Sequence, residues 1–306
     1  PAEAGAGYPS AAGQWLERAY NNTGQFSFVW YGFAASLVLM IVAAAARGGW
    51  ARVVGLSVFA MATAVLLAAF IIRWILSGRA WYLPPIMNQF EAVVGAVLLG
   101  CLAALVLEMI WRWNFFALAA AGIATACWIV MLVFPEQMAG DIRTLHGILS
   151  SPIMAIHVSV IIFGHALAGM TFVISLVYVI VILFARQGSL SSPADLRGGG
   201  DLSVLAIIDR SNLIVGQLAA WSIVAGTILG AYWGDFAWGR WWGWDPKETW
   251  ALITALIFVA MLHIRFLTPL RWRGLVTAII CILGTVVMLV NWIVVNFLLS
   301  GKHSYA

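Results

Sequence analysis

The chain has 306 residues, of which 63% are hydrophobic and only 9% charged, with a formal net charge of +4. A soluble domain carries roughly 25% charged residues, so that class is excluded and a polytopic membrane protein remains. The positive balance is small, spread over connectors and without a basic run, which removes nucleic acid as a partner.

Cys101, Cys127 and Cys281 all lie in apolar stretches and none belongs to a C-x-x-C pair. Neither a zinc site nor a disulfide framework is encoded, and any thiol chemistry falls to a thiol-reducing partner. The chain begins at Pro1 without a Met and without a basic region leading into a short apolar one. No signal peptide is therefore expected at its head; a trimmed start or a longer chain is.

Residues 1–26 begin Gly- and Ala-rich, and a short surface helix is expected over Trp15 to Tyr20, ended by Asn21-Asn22-Thr23-Gly24. This segment is placed outside the membrane. Apolar runs of about 20 residues, enough to cross a bilayer, follow at 27–46, 53–76, 86–110, 115–134, 153–185, 213–236, 248–268 and 275–299. They predict an all-α, polytopic membrane helix bundle of about eight transmembrane helices. The run 153–185 is longer than a span and should tilt or project beyond the bilayer. Residues 186–212, with Gly188, Pro193 and Gly198-Gly199-Gly200 among Ser and Asp, are expected to be a flexible linker.

An even number of spans puts both termini on one side. Arg47, Arg52, Arg112, Arg186, Arg197, Arg210, Arg271 and Arg273 then fall in the opposite loops, with Arg265 near that face. Because cytoplasmic loops carry the excess of Lys and Arg, both termini are expected outside.

Before the seventh run stands Trp238-Gly239-Arg240-Trp241-Trp242-Gly243-Trp244-Asp245-Pro246-Lys247-Glu248-Thr249-Trp250. An interfacial aromatic belt scatters its rings, whereas this string is ordered. Flat indoles beside cations suit a flat, apolar, anionic ligand such as a metalloporphyrin, with Arg240 and Lys247 as candidate partners for its propionates. Asp245 and Glu248 flank the first turn of the seventh helix, where carboxylates meet the positive helix end and Pro246 fits; capping is sufficient to explain them.

Imidazole is the usual nitrogen ligand of haem iron, which makes the five histidines the scarce resource. His157 opens the fifth span and His303 follows the last, both on the side of the tryptophan string. Two imidazoles flanking a stacking surface are what bis-His ligation needs, although a loop histidine is more often solvated. His263 lies roughly 20 Å from the outer end of the seventh helix, at 1.5 Å per residue. An ionisable residue at that depth is a functional candidate, the alternative being a neutral imidazole hydrogen-bonded between helices. His146 sits in an outer loop and His165 deeper on the fifth helix, expected to hydrogen-bond a neighbour; neither is given a ligand role.

At Asp245-Pro246-Lys247-Glu248-Thr249-Trp250 the chain resembles the haem-handling proteins that share a tryptophan-rich WWD segment. Within them it looks like the CcsA branch, also called ResC, of the system II cytochrome c synthase; CcmC and CcmF share the tryptophan core but usually differ after the Asp-Pro. The resemblance runs from about Trp81 to Ala306. It includes Pro84-Pro85-Ile86-Met87-Asn88-Gln89-Phe90-Glu91, similar to that branch's P-x-x-N-x-x-E, where Asn88 and Glu91 either shape the outer pocket or hydrogen-bond between helices.

The resemblance implies a division into an external segment, 1–26, and a CcsA-like transmembrane haem-handling domain, 27–306, with its WWD segment at 237–250. It implies haem b held by His157 and His303, the second in an H-S-Y context, with Trp241, Trp242, Trp244 and Asp245 as the catalytic arrangement. Trp238, Arg240, Lys247, Asn88 and Glu91 would lie around the haem. His263 would bind a second haem within the membrane, and because residues 1–145 hold no histidine, its opposite ligand is expected from another polypeptide or from upstream sequence.

The implied activity is that of a cytochrome c synthase component working with a CcsB-like (ResB-like) membrane partner. It would present haem b for thioether attachment to a C-x-x-C-H apocytochrome c. The membrane would be a bacterial inner membrane or a thylakoid membrane, with the tryptophan segment facing periplasm or lumen. Two alternatives stand beside it: a CcmC-like haem exporter or chaperone without a covalent step, and a dihaem quinol-oxidising electron carrier, against which His263 is the one clearly deep histidine.

Overall fold

The computed structural model describes residues 11–46, 49–142, 147–184 and 203–298. With water absent from a bilayer core, backbone groups must pair within their own segment, and the long apolar runs do this as helices. In chain order these are α1 (Ala11–Asn22), α2 (Val29–Ala46), α3 (Gly49–Leu76), α4 (Gln89–Trp111), α5 (Phe115–Val133), α6 (Pro152–Phe184), α7 (Val204–Trp238), α8 (Pro246–Leu267) and α9 (Leu270–Leu289). A π-helical turn, Val290–Val294, continues α9 into α10 (Val295–Phe297). Among the described residues eight helical segments are long and apolar enough to span a membrane, and the chain is an integral, multi-pass membrane protein.

Packing follows the rule for helices in lipid, where small residues let backbones approach. Ala117, Ala119, Ala121, Ala124 and Ala168 are fully buried, while Leu183, Phe184, Phe266 and Leu267 stand exposed on the outside. Helix α6 runs 33 residues, as the long apolar stretch predicts, and lies along α7.

The expected spans differ most at α7, which starts at Val204 rather than at 213. Its first turns hold polar residues that read as linker, but several of them find partners. The Ser203 hydroxyl caps the helix by accepting from the Ala206 N–H at 3.2 Å, and the Asn212 amide donates to Ser175 at 2.9 Å. Arg265 clasps both oxygens of Asp209 at 2.7 and 2.9 Å. The rest of the expected linker lies outside the described residues.

Consecutive spans alternate in direction, so α4, α6 and α8 begin, and α3, α5, α7 and α9 finish, at one end. Helix α1 docks there against α3 through its own buried Tyr20, the rest of it exposed or half-buried; the expected surface helix is longer than Trp15 to Tyr20. At the opposite end Glu108 supplies the missing cap of α5, accepting from the N–H groups of Asn114, Phe116 and Ala117 at 2.9, 3.1 and 3.4 Å.

Candidate functional site

Helix α7 ends where Gly239 enters the left-handed region at φ 69° and returns its N–H to the Asp235 carbonyl at 2.8 Å, a turn that favours glycine because no Cβ is in the way. Residues 239–245 then reverse the chain. Trp244 also sits left-handed, at φ 57°, a conformation uncommon for a non-glycine residue. It delivers Asp245 to the N-cap of α8. The Asp245 carboxylate accepts from the Lys247 N–H at 3.0 Å, and Glu248 accepts from the Gly243 and Asp245 N–H groups at 2.7 and 3.2 Å. Both carboxylates therefore work as caps, in the reciprocal arrangement of a capping box. Asp245→Ala should lower stability by about 1 kcal/mol, read from the thermal unfolding midpoint in detergent.

The hairpin divides its indoles into two sets. Trp238 meets buried Trp233 edge-on, with ring centroids 5.0 Å apart, and half-buried Trp242 meets Trp244 at 5.8 Å and 85°. Trp241 and Trp244 are 52% and 69% exposed, with Trp241 also meeting Tyr232, ring centroids 5.5 Å apart. Arg240 is exposed and folds back across Gly243. The indole N–H groups of Trp233 and Trp242 are buried with no acceptor among the described residues.

His157 stands on α6 at the same end. Its Nδ1 lies 2.8 Å from the Gly226 carbonyl on α7. A carbonyl can only accept, so Nδ1 carries the proton and Nε2 the lone pair, which is the tautomer and second contact typical of a metal-ligating histidine. The ring also lies against Gly230, where a Cβ would come within 2.6 Å of Cε1; only glycine leaves that space. Gly226 and Gly230 were missed in reading the sequence, although with Gly234 they repeat every fourth residue, the spacing that lets helices approach closely. A histidine held in ligating form at the same end of the bundle as two exposed indoles and an exposed arginine is a donor set compatible with a haem.

Other expected residues fall differently. His303 and His146 lie outside the described residues. His263 is exposed on the outer side of α8, its Nδ1 2.8 Å from the Val259 carbonyl of its own helix, so the expected alternative of a hydrogen bond between helices is not what it makes. His165 meets the Trp292 ring, centroids 5.5 Å apart, in place of the expected hydrogen bond.

The ammonium of Lys247, expected as a candidate propionate partner, donates to Asn296 Oδ1 at 2.5 Å and to the Asn291 carbonyl at 3.4 Å. Asn88 caps α4 through the Glu91 N–H at 2.8 Å. Glu91 is fully buried and bound to Arg73 and Arg79, which realises a structural hydrogen-bonding role for the pair.

The profile of the Cytochrome C assembly protein family matches residues 88–303, from the cap of α4 through the tryptophan hairpin. The chain is similar to the cytochrome c biogenesis protein CcsA of Synechococcus sp. (strain CC9902), 29% identical over 299 residues that cover 90% of this chain and 95% of that protein. It is 32% identical over 272 residues to the CcsA protein of Prochlorococcus marinus (strain MIT 9303), covering 80% and 82% of the two. It is also 31% identical over 256 residues to Protein NrfI of Wolinella succinogenes, covering 83% of this chain and 26% of that longer protein. A multi-pass membrane bundle with an ordered tryptophan hairpin is thus one of the cytochrome c assembly proteins. Within that family the chain belongs to the CcsA type.

Proposed function

We propose that this protein is the haem-presenting component of a system II cytochrome c synthase, acting in cytochrome c biogenesis with a CcsB-like membrane partner. The observation that carries the reading is His157, held by Gly226 in ligating form at the same end of the bundle as the exposed faces of Trp241 and Trp244. Haem b is the substrate. His157 through Nε2 and His303 are its axial ligands, Trp241 and Trp244 cover its ring faces, and Arg240 meets a propionate. Trp238, Trp242 and Asp245 hold the hairpin in shape.

The protein acts by positioning. The histidine of an apocytochrome C-x-x-C-H segment replaces one axial ligand, which brings the neighbouring thiols to the two vinyl groups. Each S–H adds across a vinyl double bond: sulfur bonds one carbon, the proton goes to the other, and no electrons are exchanged. A thiol-reducing partner keeps the cysteines reduced beforehand. The site faces the periplasm or thylakoid lumen, consistent with the gathering of Arg52, Arg112, Arg210, Arg271 and Arg273 at the opposite end. His263, on the outer side of α8, offers its imidazole to a membrane haem whose opposite ligand comes from the partner.

Co-expression of the chain with a CcsB-like partner and a C-x-x-C-H apocytochrome tests this reading. The expected product carries haem that survives a denaturing gel. Replacing Trp241 and Trp244 together by Ala removes stacking of about 1 kcal/mol each, and the yield should fall by about tenfold or more at unchanged protein level. Haem that reaches the cytochrome but is extractable, with attachment left to another enzyme, would make the protein a CcmC-like chaperone instead.

A further inference from the structure

Lys247, in the tryptophan string, directs its ammonium to acceptors on the last span, and its surroundings are polar on several elements. Its ammonium donates to Asn296 Oδ1 at 2.5 Å and approaches the Asn291 carbonyl at 3.4 Å. The Asn296 amide N–H reaches Gln89 Oε1, at the head of α4, at 3.5 Å. Asn291 and Asn296 are buried, and Asn291 belongs to the π-helical turn Val290–Val294. The next residue, Trp292, lays its ring on His165 of α6, two turns along from His157. Such single π-turns are inserted residues that break the helical ladder, and they concentrate at functional sites. A charge taken out of water is costly unless its hydrogen bonds are met; here the α8 head meets the π-turn through the Asn291 carbonyl and α10 through Asn296, and Asn296 passes the contact on to Gln89 of α4.

We infer that Lys247 is a positioning residue that acts from inside the bundle. It fastens the head of α8, and with it the tryptophan hairpin, to the π-turn of the last span and to α4, and the π-turn in turn touches the helix that carries His157. The relative placement of exposed indoles and imidazole is set through this link, and Lys247 makes no contact with the ligand. The consequence for haem rests on the synthase reading above; the link itself does not.

Two measurements separate the cases. Spin labels on cysteines placed at Trp244 and Leu298, both exposed, report the distance between hairpin and last span; Cys101 and Cys281 are buried, so Cys127→Ala completes the background. The parent should give one narrow distance. Lys247→Met and Asn296→Leu should each broaden it, the double variant should broaden it no further than either single change, and the exchange Lys247→Asn with Asn296→Lys should restore it.

Lys247→Met and Asn296→Leu, each made in the unlabelled chain that keeps Trp244, are then titrated with haem and with haem dimethyl ester, which lacks free carboxylates. Both single variants should weaken binding of the two ligands by the same factor, with the low-spin spectrum lost in both. A narrow parental distance in Lys247→Met and in Asn296→Leu overturns the inference. So does a Lys247→Met defect that disappears with the ester while Asn296→Leu is silent, because that pattern marks a propionate partner. If the parent binds neither ligand the synthase reading fails, and the distances alone decide the link. Should Lys247→Met fail to fold, Asn296→Leu and the exchange variant carry the test.

Discussion

Glu91→Ala should destabilise the protein by about 3–5 kcal/mol, the range for breaking a buried ionic cluster by removing one partner. Glu91 is 0% exposed. Its carboxylate accepts from Arg73 Nε and Nη2 at 3.1 and 3.0 Å, from Arg79 Nη1 and Nη2 at 2.6 and 3.1 Å, and from the Met87 N–H at 3.0 Å. Arg73 also donates to the Gly140 and Asp141 carbonyls at 2.7 and 3.1 Å and to the Tyr20 hydroxyl at 3.4 Å. One carboxylate thus ties α1, α3, α4 and the segment after α5 together at the end that bears the tryptophan hairpin. Without it two guanidinium groups remain in a nearly dry setting with no counter-charge from Glu91. Glu91→Gln keeps the shape and some acceptor capacity and should cost less, and Asn88→Ala, which removes a cap only, about 1 kcal/mol. Unfolding midpoints in mixed detergent give the order; a Glu91→Ala protein as stable as the parent would show that the cluster contributes nothing net.

The spans were legible in the sequence because lipid leaves little choice: an apolar stretch of about 20 residues has to be a helix. The start of α7 was hidden for the same reason. Asp209, Ser211 and Asn212 carry no apolar signal, and the helix persists through them with Arg265 paired to Asp209 and Ser175 accepting from the Asn212 amide, both from neighbouring helices. In the tryptophan string the capping by Asp245 and Glu248 could be read from the order of residues alone, since caps are local. Which indoles face outward could not, because that depends on the left-handed turn at Trp244. The direction of Lys247 was equally hidden: its acceptors Asn291 and Asn296 lie more than forty residues further on. Spacing places a residue on an element, and only packing decides which way a long flexible side chain turns.

Gly230→Ala should weaken outer-site haem binding by about 10–100-fold while leaving the fold in place. The new Cβ would stand 2.6 Å from His157 Cε1, closer than van der Waals contact permits. The ring can swing away at lower cost than α6 and α7 can separate, since those helices also touch at Gly164 and Gly226. Swinging it breaks the 2.8 Å contact of Nδ1 with the Gly226 carbonyl and redirects Nε2. Loss of such an orienting contact typically weakens metal ligation by about 10–100-fold, and holocytochrome yield should fall with it at normal protein accumulation. Gly216→Ala is the control: its Cβ meets the flexible end of Met261 at 2.5 Å, a comparable crowding far from His157, and haem content should be unchanged. His157→Ala should lose the low-spin spectrum and regain it with added imidazole, which enters the space the ring has left. In Gly230→Ala the displaced ring still occupies that space, and imidazole should restore little. A Gly230→Ala protein with parental spectrum and parental cytochrome yield would remove His157, as it is held against α7, from the axial position.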